Sequence, residues 1–375
     1  MLLYGLPSVL VHLPVVQRRL ATESSRLLSG LLRAPVRIGE VDVAWLEGLT
    51  LRRVAIDDRD GRPLLRADRL AAGIDLVALM QGQITLPSAR LVGFDIRLRK
   101  ASPDAPLNAQ FIFDALASHD TTSTGGIRLQ IRGIRLARGR MSYDVGNERP
   151  ADGRFDANHL RADDIDARAT IHELHDGNLH IEVHRMRLRE RSGIDLRGLS
   201  LMLIKQGQRL AAYNIDLRLP HSHVRIPEAA ARLPLNADDA PISLRLQSSE
   251  VCLADLAPFL PALADLPEVL QVEADVSGTM NNPVLEALSI SRGDDLSLTA
   301  RAELRDLLHA QRLYIDGRVA QLRLSTAGLG LLMRHLSNPS TTLPAPLKQL
   351  GTLHFTGEIS GFLDRLVAYG SLHSD

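Results

Sequence analysis

Apolar residues recur at every second position over most of this chain, with polar or charged residues between them. The pattern is clearest between Ile38 and Lys100, where charged residues separate Phe94, Ile96 and Leu98. Side chains two positions apart in a strand point to the same face, so each such segment predicts a strand with one apolar and one polar face. The alternation continues as far as Ile359 and predicts well over a dozen strands.

Most connections between these segments are too short for the crossovers that join parallel strands, so we expect antiparallel pairing to dominate. A twisted open sheet of this size curls or closes instead of staying flat. We therefore predict a mainly β fold with a few short helices. The expected architecture is a long curved antiparallel sheet that forms a U-shaped hydrophobic groove, preceded by an N-terminal amphipathic or anchor helix.

Helical periodicity replaces the alternation in a few places. The longest case runs from Val15 to Leu32, with Leu27 and Leu28 among the apolar residues, and Pro35 ends it. This amphipathic helix is compatible with a bilayer surface and equally with a cap at the end of the sheet. Shorter helices are predicted at Asp75–Gln81, around Phe111–Ala117, at Leu253–Leu263 and at Leu329–His335. The helix at Leu253–Leu263 contains two prolines and is therefore expected to be short or kinked.

The first sixteen residues are apolar except for Ser8 and His12, which is shorter than the ~20 residues that a spanning helix needs. Basic and amide side chains follow at Gln17–Arg19, as interfacial residues do after a membrane segment. We favour the end of a membrane anchor, and the alternative is an apolar segment packed on the sheet. We divide the chain into residues 1–34 (anchor end and amphipathic helix), 35–226 (β-groove) and 241–375 (continuing β-groove, truncated at its C-terminus).

Composition narrows the possible partners. Lys plus Arg and Asp plus Glu both number 44, and the zero net charge argues against nucleic acid, because phosphate binding needs a basic excess. Aromatic residues make up only 3% of the chain, so aliphatic side chains carry the apolar surface. Such a surface suits lipid acyl chains and also suits ordinary sheet packing. The single cysteine, Cys252, excludes an intrachain disulfide, and its apolar neighbours indicate a small core residue.

Candidate chemistry is sparse. No nucleophile elbow, phosphate-binding loop or His-Glu-x-x-His motif occurs. His180, Glu182 and His184 share one face of a strand, and a solvated polar face is favoured over a metal site.

An acidic turn is the second candidate. Asp57, Asp58 and Asp60 precede Gly61 without the spacing of a calcium-binding loop, and an ordinary Asp/Gly turn is favoured. A glycan-processing enzyme would need carboxylates clustered on one face, and here they are spread out. We expect no enzymatic activity, no catalytic residue, no cofactor and no metal.

Four segments of the chain carry local patterns that occur together in a known superfamily. They are an anchor end leading through a helix into a strand (LPVVQRRLATESSRLLSGLLRAPVRIGEVDV), a strand, short helix, strand and strand (LLRADRLAAGIDLVALMQGQITLPSARLVGFDIRL), the segment DAPLNAQFIFDALAS, and a Gly-x-x-x-Asn-Pro turn between strands (DVSGTMNNPVLEALSI). In this order they resemble the AsmA-like superfamily and, within it, the TamB family of translocation and assembly modules in the form found in Bacteroidetes. The resemblance covers almost the whole chain.

The resemblance implies a periplasmic protein of a Gram-negative bacterium, held in the inner membrane by a single N-terminal anchor. Such proteins carry phospholipid acyl chains in an aliphatic β-groove and assist outer-membrane protein assembly, so the implied partners are membrane phospholipids, the inner membrane and an outer-membrane barrel protein. The chain is shorter than family members, and the C-terminal domain that meets the barrel is not visible in it. The resemblance therefore implies an N-terminal part, a split gene product or a mis-started frame.

The expected groove lining is drawn from the alternating segments, because an aliphatic lining needs no exact positions. The alternative is a structural or interaction scaffold in which the same side chains fill a core and leave no lipid path. The predicted lining residues are Ile74, Phe94, Ile96, Leu98, Leu129, Ile131, Ile181, Val183, Leu201, Leu203, Ile215 and Leu217.

Overall fold

The computed structural model of the protein describes residues 14–44, 48–73, 85–117, 130–146, 153–175, 177–234, 239–307, 312–329, 351–362 and 365–375. The described part is mainly β with few helices, which confirms the predicted fold class at this level. The helices are α1 (Pro14–Leu32) and α2 (Gln110–Ala117), and residues 326–329 form a further helical turn. The strands are β1 (Val36–Arg37), β2 (Glu40–Ala44), β3 (Gly48–Asp57), β4 (Pro63–Ala72), β5 (Thr85–Lys100), β6 (Gln130–Val145), β7 (His159–His175), β8 (Asn178–Glu190), β9 (Asp195–Gln206), β10 (Arg209–Arg218), β11 (His223–Arg232), β12 (Ile242–Cys252), β13 (Val269–Gly278), β14 (Pro283–Arg292), β15 (Leu296–Arg305), β16 (Tyr314–Leu324), β17 (Leu353–Phe362) and β18 (Arg365–Ser374).

The chain divides into two compact units. The first unit comprises Met1–Ser200 with Pro258–Pro261, and the second comprises Leu201–Ala257 with Ala262–Asp375. The division therefore falls within β9. Between the two predicted β-groove segments lie residues 227–240, the predicted boundary. This segment begins inside β11, because Ala229, Ala230 and Ala231 pair with β10 and β12 as ordinary strand residues.

In the first unit, β1 and β2 pair with successive parts of β3, and β3 to β8 then pair each with the next strand. These pairs are antiparallel except for β5 and β6, which run parallel. A parallel pair requires a long crossover, and α2 lies in the connection between these two strands. Antiparallel pairing dominates, as predicted, with this exception among the described strands.

Helix α1 lies against the edge formed by β1 and β2. The Ser29 hydroxyl accepts a hydrogen bond from the Val36 N–H at 2.9 Å, and the Ser25 hydroxyl accepts one from the Ile38 N–H at 3.1 Å. These bonds satisfy backbone donors that an open strand edge leaves unpaired. On the helix, Ala21 is buried and Leu28 packs against the core, whereas Leu27 is 72% exposed, so the apolar side of α1 is only partly covered.

A break in the two-residue alternation recurs on neighbouring strands of the first unit. A residue with positive φ, a conformation that L-residues seldom adopt, lies at each of these positions. The backbone turns there, so apolar residues three positions apart, such as Leu51 and Val54, are both buried. The residues with positive φ in this region are Arg53, Gly93, Arg138 and Asp164.

The buried core of the first unit combines residues of the sheet, α1 and α2. Phe94 is only 3% exposed, and its ring lies where a Cβ on Gly139 of β6 would have to be. Phe111 from α2 is also buried in this core. Residues of α1 and α2 thus share one buried core with the apolar side of these strands.

In the second unit, β10 to β18 pair each with the next strand, all antiparallel. The short or kinked helix predicted at Leu253–Leu263 takes the form of two short 3-10 turns, at Leu253–Leu256 and Pro261–Leu263, and not of a continuous α-helix. Pro258 and Pro261 explain the difference, since proline lacks the N–H that a continuous helix needs.

Some predicted helical segments lie outside the described residues. These are Asp75–Gln81, residues 330–335 and the apolar residues 1–13. Within the described ranges, no helix is both long and apolar enough to cross a membrane.

Candidate functional site: the apolar face of the second unit

Strand β15 shows how the sequence builds a two-faced layer. Leu296, Leu298 and Ala300 are half-buried, whereas Thr299 and Arg301 are exposed. Because side chains alternate across a strand, the aliphatic residues lie on one face and the polar residues on the other.

Pairing between strands extends this face across the second unit. Two rows of apolar side chains cross these strands. Within a row, each residue is the direct pairing partner of the next, so the side chains are neighbours across the sheet. One row contains Val272, Ile290, Leu298, Leu322 and Phe355. A second row contains Leu246, Ala274, Leu288, Ala300 and Val319. We call these two rows the apolar face.

The opposite surface of the same strands is polar. Ser289, Thr299 and Gln321 form an exposed row through direct pairing. Ion pairs flank this row, with N–O distances of 2.9–3.1 Å. They join Arg245 to Asp275, Arg301 to Glu286 and Arg318 to Glu358. Exposed pairs of this kind add little stability, and their main effect here is to keep this surface in water.

A charged cluster lies on the polar side of β10. The Asp216 carboxylate is 2.8 Å from His223 Nε2 and 3.0 Å from Arg218 Nε. Partial burial raises the pKa of Asp216, but the hydrogen bonds and charges of His223 and Arg218 together outweigh it, so the net pKa is below its usual value. Asp216 therefore stays ionised between two apolar neighbours of the strand, Ile215 and Leu217.

The apolar face differs from the core of the first unit in what covers it. In the first unit, α1 packs on β1 and β2, and residues of α1 and α2 belong to the buried core. In the described part of the second unit, β13 to β17 make their substantial contacts with adjacent strands, and the helical turn at residues 326–329 follows β16 directly. All residues of the first row are only half-buried. Among the described residues, the apolar face is therefore an aliphatic surface that remains partly open.

The predicted lining residues fall into different environments. Phe94 is in the filled core of the first unit, and Ile96 and Leu98 pack against that core. The remaining described side chains are half-buried; they are Ile181, Val183, Leu201, Leu203, Ile215 and Leu217. Ile131 belongs to β6 without a described side chain, and Ile74 and Leu129 lie outside the described residues.

The histidine cluster on β7 and β8 is held by local contacts. Glu182 lies 3.3 Å from His172 Nε2 and 3.4 Å from His184 Nδ1. His184 Nε2 is also 2.8 Å from the Thr170 hydroxyl, and the His180 ring stacks against His172. Among the described residues, these side chains do not form a three-ligand set, whereas His221, Cys252 and Asp255 do.

The acidic turn after β3 uses its carboxylates internally. Asp58 is 3% exposed, and its Oδ1 accepts hydrogen bonds from the N–H groups of Asp60 and Arg62. Asp57 pairs with Arg37 at 2.7 Å and with Arg66 at 2.6 Å. Both buried carboxylates are thus already occupied, which agrees with the ordinary turn that we favoured over a calcium site.

Compared with protein-family models, curated proteins and solved structures, the chain matches none of them. Function is therefore inferred from the side chains and surfaces of this chain alone. Cys252 is buried, as its sequence neighbours indicate, but two ligand-type side chains that the sequence did not connect with it lie nearby.

Proposed function

We propose that the apolar face of the second unit binds the acyl chains of lipids, and that the protein is a non-enzymatic phospholipid carrier. The observation that supports this proposal is the aliphatic surface of Val272, Ile290, Leu298, Leu322 and Phe355, half-exposed on a single layer of sheet. This proposal includes the membership in the AsmA-like superfamily, the inner-membrane anchor, the periplasmic location and the assistance to outer-membrane assembly that the resemblance implies.

The physical basis is the burial of methylene groups. Neighbouring strands are ~4.8 Å apart, so a row across five strands extends over roughly 19 Å. Each methylene group that leaves water against such a surface contributes ~0.8 kcal/mol. The row contains no charged side chain, so an acyl chain lying along it leaves no ionised group desolvated.

A second candidate is a structural scaffold. The buried core of the first unit, which contains Phe94 together with residues of α1 and α2, favours this role for that part of the chain. On this hypothesis the apolar face of the second unit serves only to pair and pack strands. The two candidates give opposite results in a lipid-binding experiment.

The experiment compares two neighbouring positions of β15. The purified protein is extracted for mass spectrometry of bound lipid and titrated with a fluorescent phospholipid analogue. Leu298→Asp places a carboxylate in the apolar row, and we expect binding at least about 10-fold weaker, since desolvating an unpaired charge costs several kcal/mol. Thr299→Asp adds the same charge on the exposed polar face and should bind like the wild type.

Leu298→Thr is a milder variant that introduces an uncharged, β-branched side chain favoured in strands, and circular dichroism verifies that each variant remains folded. Lipid in the wild type together with selective loss in Leu298→Asp supports the carrier. Absence of lipid, or equal affinity of Leu298→Asp and Thr299→Asp in folded proteins, rules it out and leaves the scaffold.

A further inference from the structure

Three side chains of metal-ligand type meet at one end of the second unit. His221 lies in the turn between β10 and β11, Cys252 is the last residue of β12, and Asp255 belongs to the 3-10 turn Leu253–Leu256. One ligand atom from each, a ring nitrogen, the Sγ and a carboxylate oxygen, all lie within 4.8 Å of one another.

Hydrogen bonds hold the two turns together. The Ser222 hydroxyl accepts the Cys252 N–H at 2.9 Å and donates to Asp255 Oδ2 at 2.7 Å. The same Oδ2 accepts the backbone N–H of His221 at 2.9 Å. Consequently Oδ2 is saturated by two donors from the turn, and the carboxylate is fixed in orientation.

The other carboxylate oxygen points toward the histidine ring. Asp255 Oδ1 lies 3.4 Å from His221 Nδ1, which is long for a hydrogen bond. Two ligands at 2.0–2.1 Å from a tetrahedral metal ion are about 3.4 Å apart, so this separation fits a pair of ligands on one ion. The Asp255 side chain is only 6% exposed, and its orientation is therefore enforced by the fold.

Burial gives the three side chains different freedom. Cys252 is 2% exposed, whereas the His221 side chain is 68% exposed on its turn. The buried thiol and carboxylate provide a rigid base, and the exposed imidazole has room to rotate onto a bound ion. His221 is therefore the exposed side of the cluster, from which an ion would enter.

We propose that His221, Cys252 and Asp255 bind a divalent transition-metal ion of the zinc type, with the fourth coordination position taken by water or an external ligand. A thiolate, an imidazole and a carboxylate together suit zinc, whereas calcium and magnesium prefer oxygen ligands alone. Binding converts the Cys252 thiol to a thiolate, so one proton is released to solvent for each ion bound.

Cobalt(II) is the probe for this site. The full chain, reduced and dialysed against a chelator, is titrated with CoCl₂ while its absorption spectrum is recorded. We expect one ion per chain, visible bands of four-coordinate cobalt and a near-ultraviolet thiolate-to-cobalt charge-transfer band. Cys252 is the only cysteine of the chain, so this band can arise only from its sulfur. Zinc added afterwards should displace the cobalt and bleach both sets of bands.

The variants separate metal binding from a purely structural role. His221→Ala removes an exposed ligand. Loss of a side chain that only hydrogen-bonds a metal ligand weakens binding roughly 10–100-fold, and loss of the ligand itself should weaken cobalt binding by more than this. Cys252→Ser should abolish the charge-transfer band. His354→Ala, which removes a histidine on β17 outside the cluster, is the control and should bind cobalt like the wild type.

If cobalt gives no charge-transfer band, or if folded His221→Ala binds it with unchanged affinity, the metal site is excluded. The Asp255 hydrogen bonds would then serve only to fasten the turn. Lipid binding does not enter either readout, so the result is independent of the proposed carrier function.

Discussion

The packing of Phe94 on Gly139 provides a quantitative test of the filled core in the first unit. A Cβ at Gly139 would overlap the Phe94 ring, and Phe94 is 3% exposed. We therefore expect Gly139→Ala to destabilise the protein by about 1–3 kcal/mol, as overpacking of a close-packed core does. Phe94→Ala should cost about 3–5 kcal/mol, because it leaves a cavity.

The decisive measurement is the double variant. Gly139 is not among the residues with positive φ, so its backbone conformation is accessible to alanine. Once Phe94→Ala has removed the ring, Gly139→Ala should be neutral or stabilise by up to about 1 kcal/mol through the unfolded state. The two substitutions should therefore show a coupling energy of roughly 1–4 kcal/mol.

The assay is urea unfolding followed by circular dichroism and by the fluorescence of Trp45, the single tryptophan, which follows β2 in the sequence. Gly30→Ala is a control, because a Cβ there meets nothing within 4 Å. It should stabilise α1 by about 0.5–1 kcal/mol. If Gly139→Ala has the same effect with and without Phe94, the ring does not occupy this position, and Phe94 returns to the candidates for an open groove.

Two further predictions concern carboxylates. Asp58→Ala removes the acceptor for the N–H groups of the acidic turn and for Asn108 Nδ2 at 3.3 Å; we expect a loss of about 1–3 kcal/mol in urea unfolding. Wild-type melting temperature should not rise with added calcium, and a rise would contradict the ordinary turn. The pKa of Asp216 is lowered in the folded protein, so its stabilising contribution, present above the unfolded pKa, is lost as pH falls through the lowered folded value. Asp216→Asn should therefore reduce the loss of stability on acidification below about pH 4, and an unchanged pH profile would show that His223 and Arg218 do not stabilise the charge.

The alternation of apolar and polar residues determined which segments form strands. This information is local, since side chains two positions apart share a face whatever the strand packs against. Proline is also a local signal, and Pro35 placed the end of α1. The low aromatic content left aliphatic side chains to form the apolar surfaces. The breaks in alternation are also visible in the sequence, where apolar residues such as Leu51 and Val54 are three positions apart and not two.

Burial of a given apolar residue was decided only by tertiary structure. Phe94 and Leu298 both alternate with polar neighbours in sequence, yet Phe94 is covered in a core with α1 and α2, and Leu298 is half-exposed on a single layer. Local pattern cannot distinguish them, because the covering element comes from a distant part of the chain. The parallel pairing of β5 with β6 likewise depends on the path of the crossover.

The cluster of His221, Cys252 and Asp255 likewise could not be predicted from the sequence. His221 and Asp255 are 34 residues apart in the sequence, and their spacing matches no metal-binding motif. They meet because antiparallel pairing of β10, β11 and β12 brings the β10–β11 turn to the end of β12, where Ser222 bonds to both Cys252 and Asp255. The sequence by itself determined the residue types and the strands. The tertiary structure determined which side chains share one site, because strand pairing brings together residues that are distant in the sequence.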